Sequence, residues 1–125
     1  MTVLSKILNN TKVQRQDSKK ADLYRSLMRR EAKIGGAIFG ETPKGVRREF
    51  FCLDERTWIW HEEWTDESGK LHVKTTRYDI RPDGILKAQG DRNYQHVSLE
   101  EANRLLEATK VYENRIRTQL YAPYL

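Results

Sequence analysis

The chain has 125 residues, a net charge of +5, 38% hydrophobic and 33% charged residues, and one cysteine. That length supports one domain able to bury about two-thirds of its unfolded surface, and 10% aromatic content separates it from disordered chains of similar charge. Cys52 alone excludes an internal disulfide and a cysteine-based metal knuckle, and no apolar run could span a bilayer. With no convincing secretory signal, the expectation is a cytoplasmic protein without a membrane partner.

Charge is distributed unevenly. Residues 1–48 carry twelve Lys and Arg against four Asp and Glu, or +8, while 49–125 carry eleven against fourteen, or −3. A basic front on a near-neutral body points to an anionic partner.

Residues 1–16 mix a small apolar patch (Val3, Leu4, Ile7, Leu8) with polar and charged residues, and read as a flexible arm with one helical turn at most. A single domain is expected over 17–121, followed by a tail over 122–125. Asp17 or Ser18 offers an N-cap for a helix to about Ile34. Leu23, Leu27 and Ile34 share one face of it, and Arg25, Arg29 and Lys33 form a row on the other. Gly35 and Gly36 read as its terminator, with a short strand at 37–39 to follow. The loop 40–45 has glycines and a lysine but not the spacing of a phosphate-binding loop, and reads as a turn.

The stretch 47–89 alternates aromatic and β-branched runs with turn residues at 54–55, 66–69 and 82–84, the pattern of an antiparallel meander. Its short connections exclude a parallel sheet. A four-residue loop at 66–69 would pair Trp64 with Leu71 and Trp58 with Arg77. One face would then carry Trp58, Trp60, Trp64, Leu71 and Val73, and the other Ile59, His61, Glu63, His72 and Lys74. The apolar residues of the third strand change phase between Val73 and Tyr78, which on this register demands a bulge or a curled hairpin. Residues 81–84 fit a tight turn with Gly84 in the left-handed region. A last helix begins at a capping box of Ser98 and Glu101 with Val97 and Ala102 as its staple. Ala102, Leu105, Leu106, Ile116 and Leu120 form its buried stripe, and Glu113 falls close to the middle of it.

Several constellations carry possible chemistry. His61, Glu63 and His72 would share a sheet face and form a two-histidine, one-carboxylate cluster, yet strand histidines seldom ligate; no metal is expected. Cys52 lies in an apolar strand, where thiols are inert. Glu62, Glu63, Asp79 and Asp83 could pair as carboxylates, but no nucleophile elbow, dinucleotide fingerprint or calcium loop accompanies them. The reading is therefore a non-enzyme without cofactor. Trp58, Trp60 and Trp64 could stack unpaired bases near Lys74, Arg77 and Arg56, though core packing accounts for them better. Trp58 over Arg77 would make a cation–π pair.

The strongest functional signal is the basic set Lys19, Lys20, Arg25, Arg29, Arg30, Lys33, Lys44, Arg47 and Arg48, an electrostatic footprint for phosphates. The expected fold is an α+β, two-layer domain, with a meander of four to five strands covered by an N-terminal and a C-terminal helix. The expected function is a small nucleic-acid-binding module for single strands or RNA. The alternative is a protein-interaction or assembly domain, a homodimer or adaptor, using an exposed face of Ile59, Tyr78 and Ile80 or the residues from Tyr121 onward. In element order the chain resembles single-strand nucleic-acid binders built from a curved meander and a helix. The run 47–64 resembles segments of small bacterial proteins, a likeness that implies no activity.

Overall fold

A computed structural model describes residues 2–4 and 17–124. The side-chain cap expected from Asp17 or Ser18 and the arm residues 5–16 lie outside what it describes. The architecture is α+β. Helix α1 spans Asp17–Gly36, and strands β1 (Val46–Cys52), β2 (Thr57–Thr65), β3 (Leu71–Arg81), β4 (Gly84–Gln89) and β5 (Gln95–His96) follow. Helix α2 spans Leu99–Ile116 and continues through a π-helical turn, Arg117–Tyr121. The strands form one antiparallel sheet in the order β1-β2-β3-β4-β5.

The β2–β3 register differs by one residue from the expected one: Trp64 pairs with His72, Trp60 with Thr76 and Trp58 with Tyr78. Asp66 sets it. Its backbone N–H donates to Lys70 O at 2.9 Å, while its Oδ1 accepts from Ser68 N at 2.9 Å, Ser68 Oγ at 2.6 Å and Lys70 N at 3.0 Å. The loop is therefore three residues, 67–69, closed by Gly69 at φ +86°. A one-residue change exchanges the faces of every side chain on the strand. Leu71 and Val73 consequently point away from the helices and are 60% and 56% exposed, while Tyr78 and Ile80 turn toward the core. No bulge is needed, because β3 keeps one phase throughout.

One face of the sheet carries Phe50, Cys52, Trp58, Trp60, Tyr78, Ile80 and Ile85. Tyr112 of α2 meets it with its ring edge-on to Phe50 and Trp58, at centroid distances of 5.9 and 5.0 Å. Leu105, Ala108, Ile116, Leu120 and Tyr121 complete the cover. Tyr112, rather than Leu106, is the centre of the α2 stripe; Leu106 is exposed, and Glu113 points outward to Arg117 at 3.3 Å. The π-helical turn follows this stripe, and both Leu120 and Tyr121 are buried in it. Ser98 caps α2 by accepting from Glu101 N at 3.1 Å, but the Glu101 side chain is drawn to the sheet, so only half of the box forms.

The pair Gly35 and Gly36 does end α1, whose last residue is Gly36, but neither glycine takes the left-handed conformation expected of a cap. A Cβ on Gly35 would stand 1.8 Å from the Phe50 carbonyl oxygen, and one on Gly36 would stand 2.0 Å from that of Arg48. Leu53 N donates to Thr57 O, which fixes the odd-numbered residues of β1 as those bonded to β2, so the carbonyls of Arg48 and Phe50 face the free sheet edge. The glycine pair lays α1 directly against that edge and closes it. Residues 37–39 form turns, with Ala37 N donating to Ile34 O and Ile38 N to Gly35 O, and the short strand expected there is absent. At the front of the chain, Val3 and Leu4 are buried in the core. The described part of the expected arm is thus packed.

Candidate nucleic-acid interface

On the α1 helical wheel the outward arc holds Lys19, Arg25, Arg29, Arg30 and Lys33, all exposed, with Asp22 as the one carboxylate among them. Asp22 is engaged by Arg25. Arg29, Arg30 and Lys33 have no ion pair among the described residues, and neither do Lys19, Lys20 and Lys44. The inner arc carries Leu27, Glu31 and Ala32 into the core. The helix thus separates its cations from its buried face.

The remaining basic candidates are spent within the sheet. Arg47 contacts Glu49 at 2.9 Å and Glu63 at 3.6 Å on the outer face. Arg48, on the helix side, donates to Glu62 at 3.2 Å and lies over the Trp60 ring, 5.5 Å from its centroid. This is the sheet's cation–π pair. Arg77 stands opposite Ile59 on the other face from Trp58, so the pair expected between Trp58 and Arg77 does not form.

The structure also separates the expected interaction face. Ile59 lies on the outer face with Phe51, Leu86 and Ala88, whereas Tyr78 and Ile80 lie on the helix-covered face, where the Tyr78 hydroxyl donates to Glu101 at 3.0 Å. Tyr121 is fully buried and is core rather than a docking tail. The histidine cluster is divided the same way. His61 on the outer face bonds Thr75 at 2.7 Å and Glu63 at 2.9 Å; His72 on the helix side stacks on Trp64 and bonds Asp66 at 2.8 Å. These bonds hold the Glu63 and Asp66 carboxyls below the usual range, through His61 first for Glu63 and Ser68 first for Asp66. Among the described residues no group of His, Cys, Asp and Glu could hold a metal ion.

Trp58 is core, Trp60 is half-buried beside it, and Trp64 lies further out along β2. Around Trp60, between the helix-side face of the sheet and the first turns of α2, runs a groove of about 490 Å³. Phe39 forms one wall, edge-on to Trp60 at 4.5 Å, and Lys74, Lys87 and Arg104 stand around it.

Composition did not disclose the most unusual buried group. Glu31 is 2% exposed and accepts hydrogen bonds from the hydroxyls of Tyr112 and Tyr121. Burial pushes its carboxyl above the ordinary value, with the two hydroxyls working against that rise. Cys52 stands close by, its thiol pushed up to about 11 by burial and by the Glu31 charge. A thiol so held is a packing residue, not a nucleophile. The charged residue at 31 interrupts the apolar pattern, and only its tyrosine partners explain its depth.

Comparisons with protein families, with curated proteins and with solved structures returned no match. Among the described residues no helix is long and apolar enough to cross a membrane.

Proposed function

We propose that this chain is a non-enzymatic nucleic-acid-binding module that lays the outer face of α1 along a phosphate backbone. One observation carries the reading: among the described residues Arg29, Arg30 and Lys33 stand exposed together without carboxylate partners, while Arg25, Arg47 and Arg48 of the same basic set are paired. Cations so left free release counterions from a polyanion when they bind it. Along α1, Arg29 and Lys33 are about 6 Å apart in rise, a spacing at which both can reach one strand.

The test is a fluorescence anisotropy titration of labelled oligonucleotides at several salt concentrations, with wild type beside the triple variant Arg29→Gln, Arg30→Gln, Lys33→Gln. Phosphate contacts carry affinity without base identity, so the variant weakens binding to every sequence about equally. Its plot of log affinity against log salt becomes shallower by about 2–3. Absence of wild-type binding at low salt overturns the proposal.

A second reading rests on the outer sheet face, where Leu71, Val73, Ile59, Leu86 and Ala88 leave apolar surface open to solvent. It is an assembly face, and light scattering coupled to size exclusion reports it. Salt separates the two: the α1 interface dissolves as salt rises, and apolar association does not.

A further inference from the structure

We infer that the groove around Trp60 takes unpaired nucleotides, making single-stranded nucleic acid the ligand class of this protein. The inference rests on the nucleic-acid reading above and adds a second, separable site.

The groove combines the two elements that an unpaired base and its phosphate need. The first is aromatic. Phe39, 46% exposed at the turn after α1, stands edge-on to the half-buried Trp60. Arg48 already lies over the Trp60 ring, so the exposed ring of Phe39 is the surface offered to a base. The second is positive charge, of which Lys74 is the free part: Lys87 is paired with Glu101 and Arg104 with Glu100. Two carboxylates border the groove, and both are already engaged. Glu62 accepts from Arg48 Nε at 3.2 Å and from the Trp60 indole N–H at 2.8 Å. Glu101 accepts from Lys87 Nζ at 2.9 Å and from the Tyr78 hydroxyl. Lys74, across the strand pair from Glu62, is exposed and has no ion pair among the described residues.

The groove floor adds a means of reading a base edge. The Gln89 amide donates to Thr76 Oγ1 at 3.2 Å, which leaves its carbonyl oxygen and second N–H for a ligand. A volume of about 490 Å³ suits a nucleotide-sized group. A duplex keeps its bases paired and stacked and cannot offer them to such a slot. Phe39 follows α1 by three residues, so a strand held by Lys33 needs little additional length to reach the aromatic walls.

The experiment compares oligo-dT and oligo-U single strands of about twelve nucleotides, within the range of single-strand site sizes, with a duplex of the same length. Binding is followed by anisotropy at low salt for wild type, Phe39→Ala and Lys74→Glu. Wild type prefers single strands to duplex by about tenfold or more. Each variant lowers single-strand affinity about tenfold, the loss of one stacking or phosphate contact, and leaves duplex binding within about twofold. Lys74→Glu sits on an exposed, unpaired position, so its result stands even if Phe39→Ala disturbs packing. Equal affinity for single strand and duplex overturns the groove while leaving the α1 reading intact, as does a Lys74→Glu variant that binds single strands like wild type. Loss of all binding in wild type removes both.

Discussion

The carbonyl oxygen of Phe50 occupies the position a Cβ on Gly35 would need, 1.8 Å from it. Glycine inside a helix ordinarily costs about 1 kcal/mol relative to alanine, so Gly35→Ala on an open helix would stabilise. Here the sign reverses. Backbone must give way, and Gly35→Ala and Gly36→Ala each destabilise by about 3 kcal/mol or more, in the range of severe core defects. Gly40→Ala meets no atom within 4 Å and is strained only through φ +111°; its cost is about 1 kcal/mol. Urea denaturation of the three variants checks the order.

Glu31 predicts an unusual pH dependence. Its carboxyl titrates near 4.5 in the unfolded chain and higher in the folded one, because burial disfavours the charge. Between those two values the folded state holds more protons, so stability falls as pH rises through the window. Its contribution is fully present below about 4.5 and lost above the folded value. Glu31→Gln removes this slope, and the difference between wild-type and variant stability across pH 4–8, measured by denaturant titration, isolates it. Glu31→Ala leaves two buried tyrosine hydroxyls without acceptors and costs about 3–5 kcal/mol.

The register separates two isoleucines that read alike in sequence. Ile80 faces Ile85 on the core side, and Ile59 faces Arg77 on the outer side. Ile80→Lys destabilises by about 2 kcal/mol or more, because an unpaired cation enters the core. Ile59→Lys changes monomer stability by less than about 1 kcal/mol. If the outer face joins two copies, the same Ile59→Lys variant elutes as a monomer where wild type does not. Thermal melts and light scattering on both variants decide.

The order of the first four strands, the antiparallel meander, both long helices and the Ser98 cap were legible because each rests on local signals: apolar period, turn residues, a hydroxyl ahead of a helix. The short β5 at Gln95–His96, in a polar stretch, was not. The face of β3 was not legible, since it depends on whether Asp66 joins the loop or the ladder, and its side chain decides that by bonding Ser68 and Lys70. Gly35 and Gly36 were legible as the end of α1. Their second use, admitting the tertiary approach of β1, was not, because only the packed fold shows it. The exposed basic row of α1 was visible from its spacing. The subtraction of Arg47 and Arg48 from it was not, as Glu63 and Glu62 lie on a neighbouring strand, on opposite faces of the sheet, and only Glu49, the nearer partner of Arg47, is local in sequence.

The clasp on Glu31 also sets an order of events in time. Its two hydroxyl partners come 81 and 90 residues later in the chain. At synthesis rates of about 5–20 residues per second, α1 waits about 5–20 s on the ribosome for its last partner. During that interval an unaccompanied carboxyl disfavours burial of the α1 inner face. The helix can form its turns early, but it cannot settle. Its inner face is therefore the last part of the domain to close, and it closes only when Tyr112 and Tyr121 arrive.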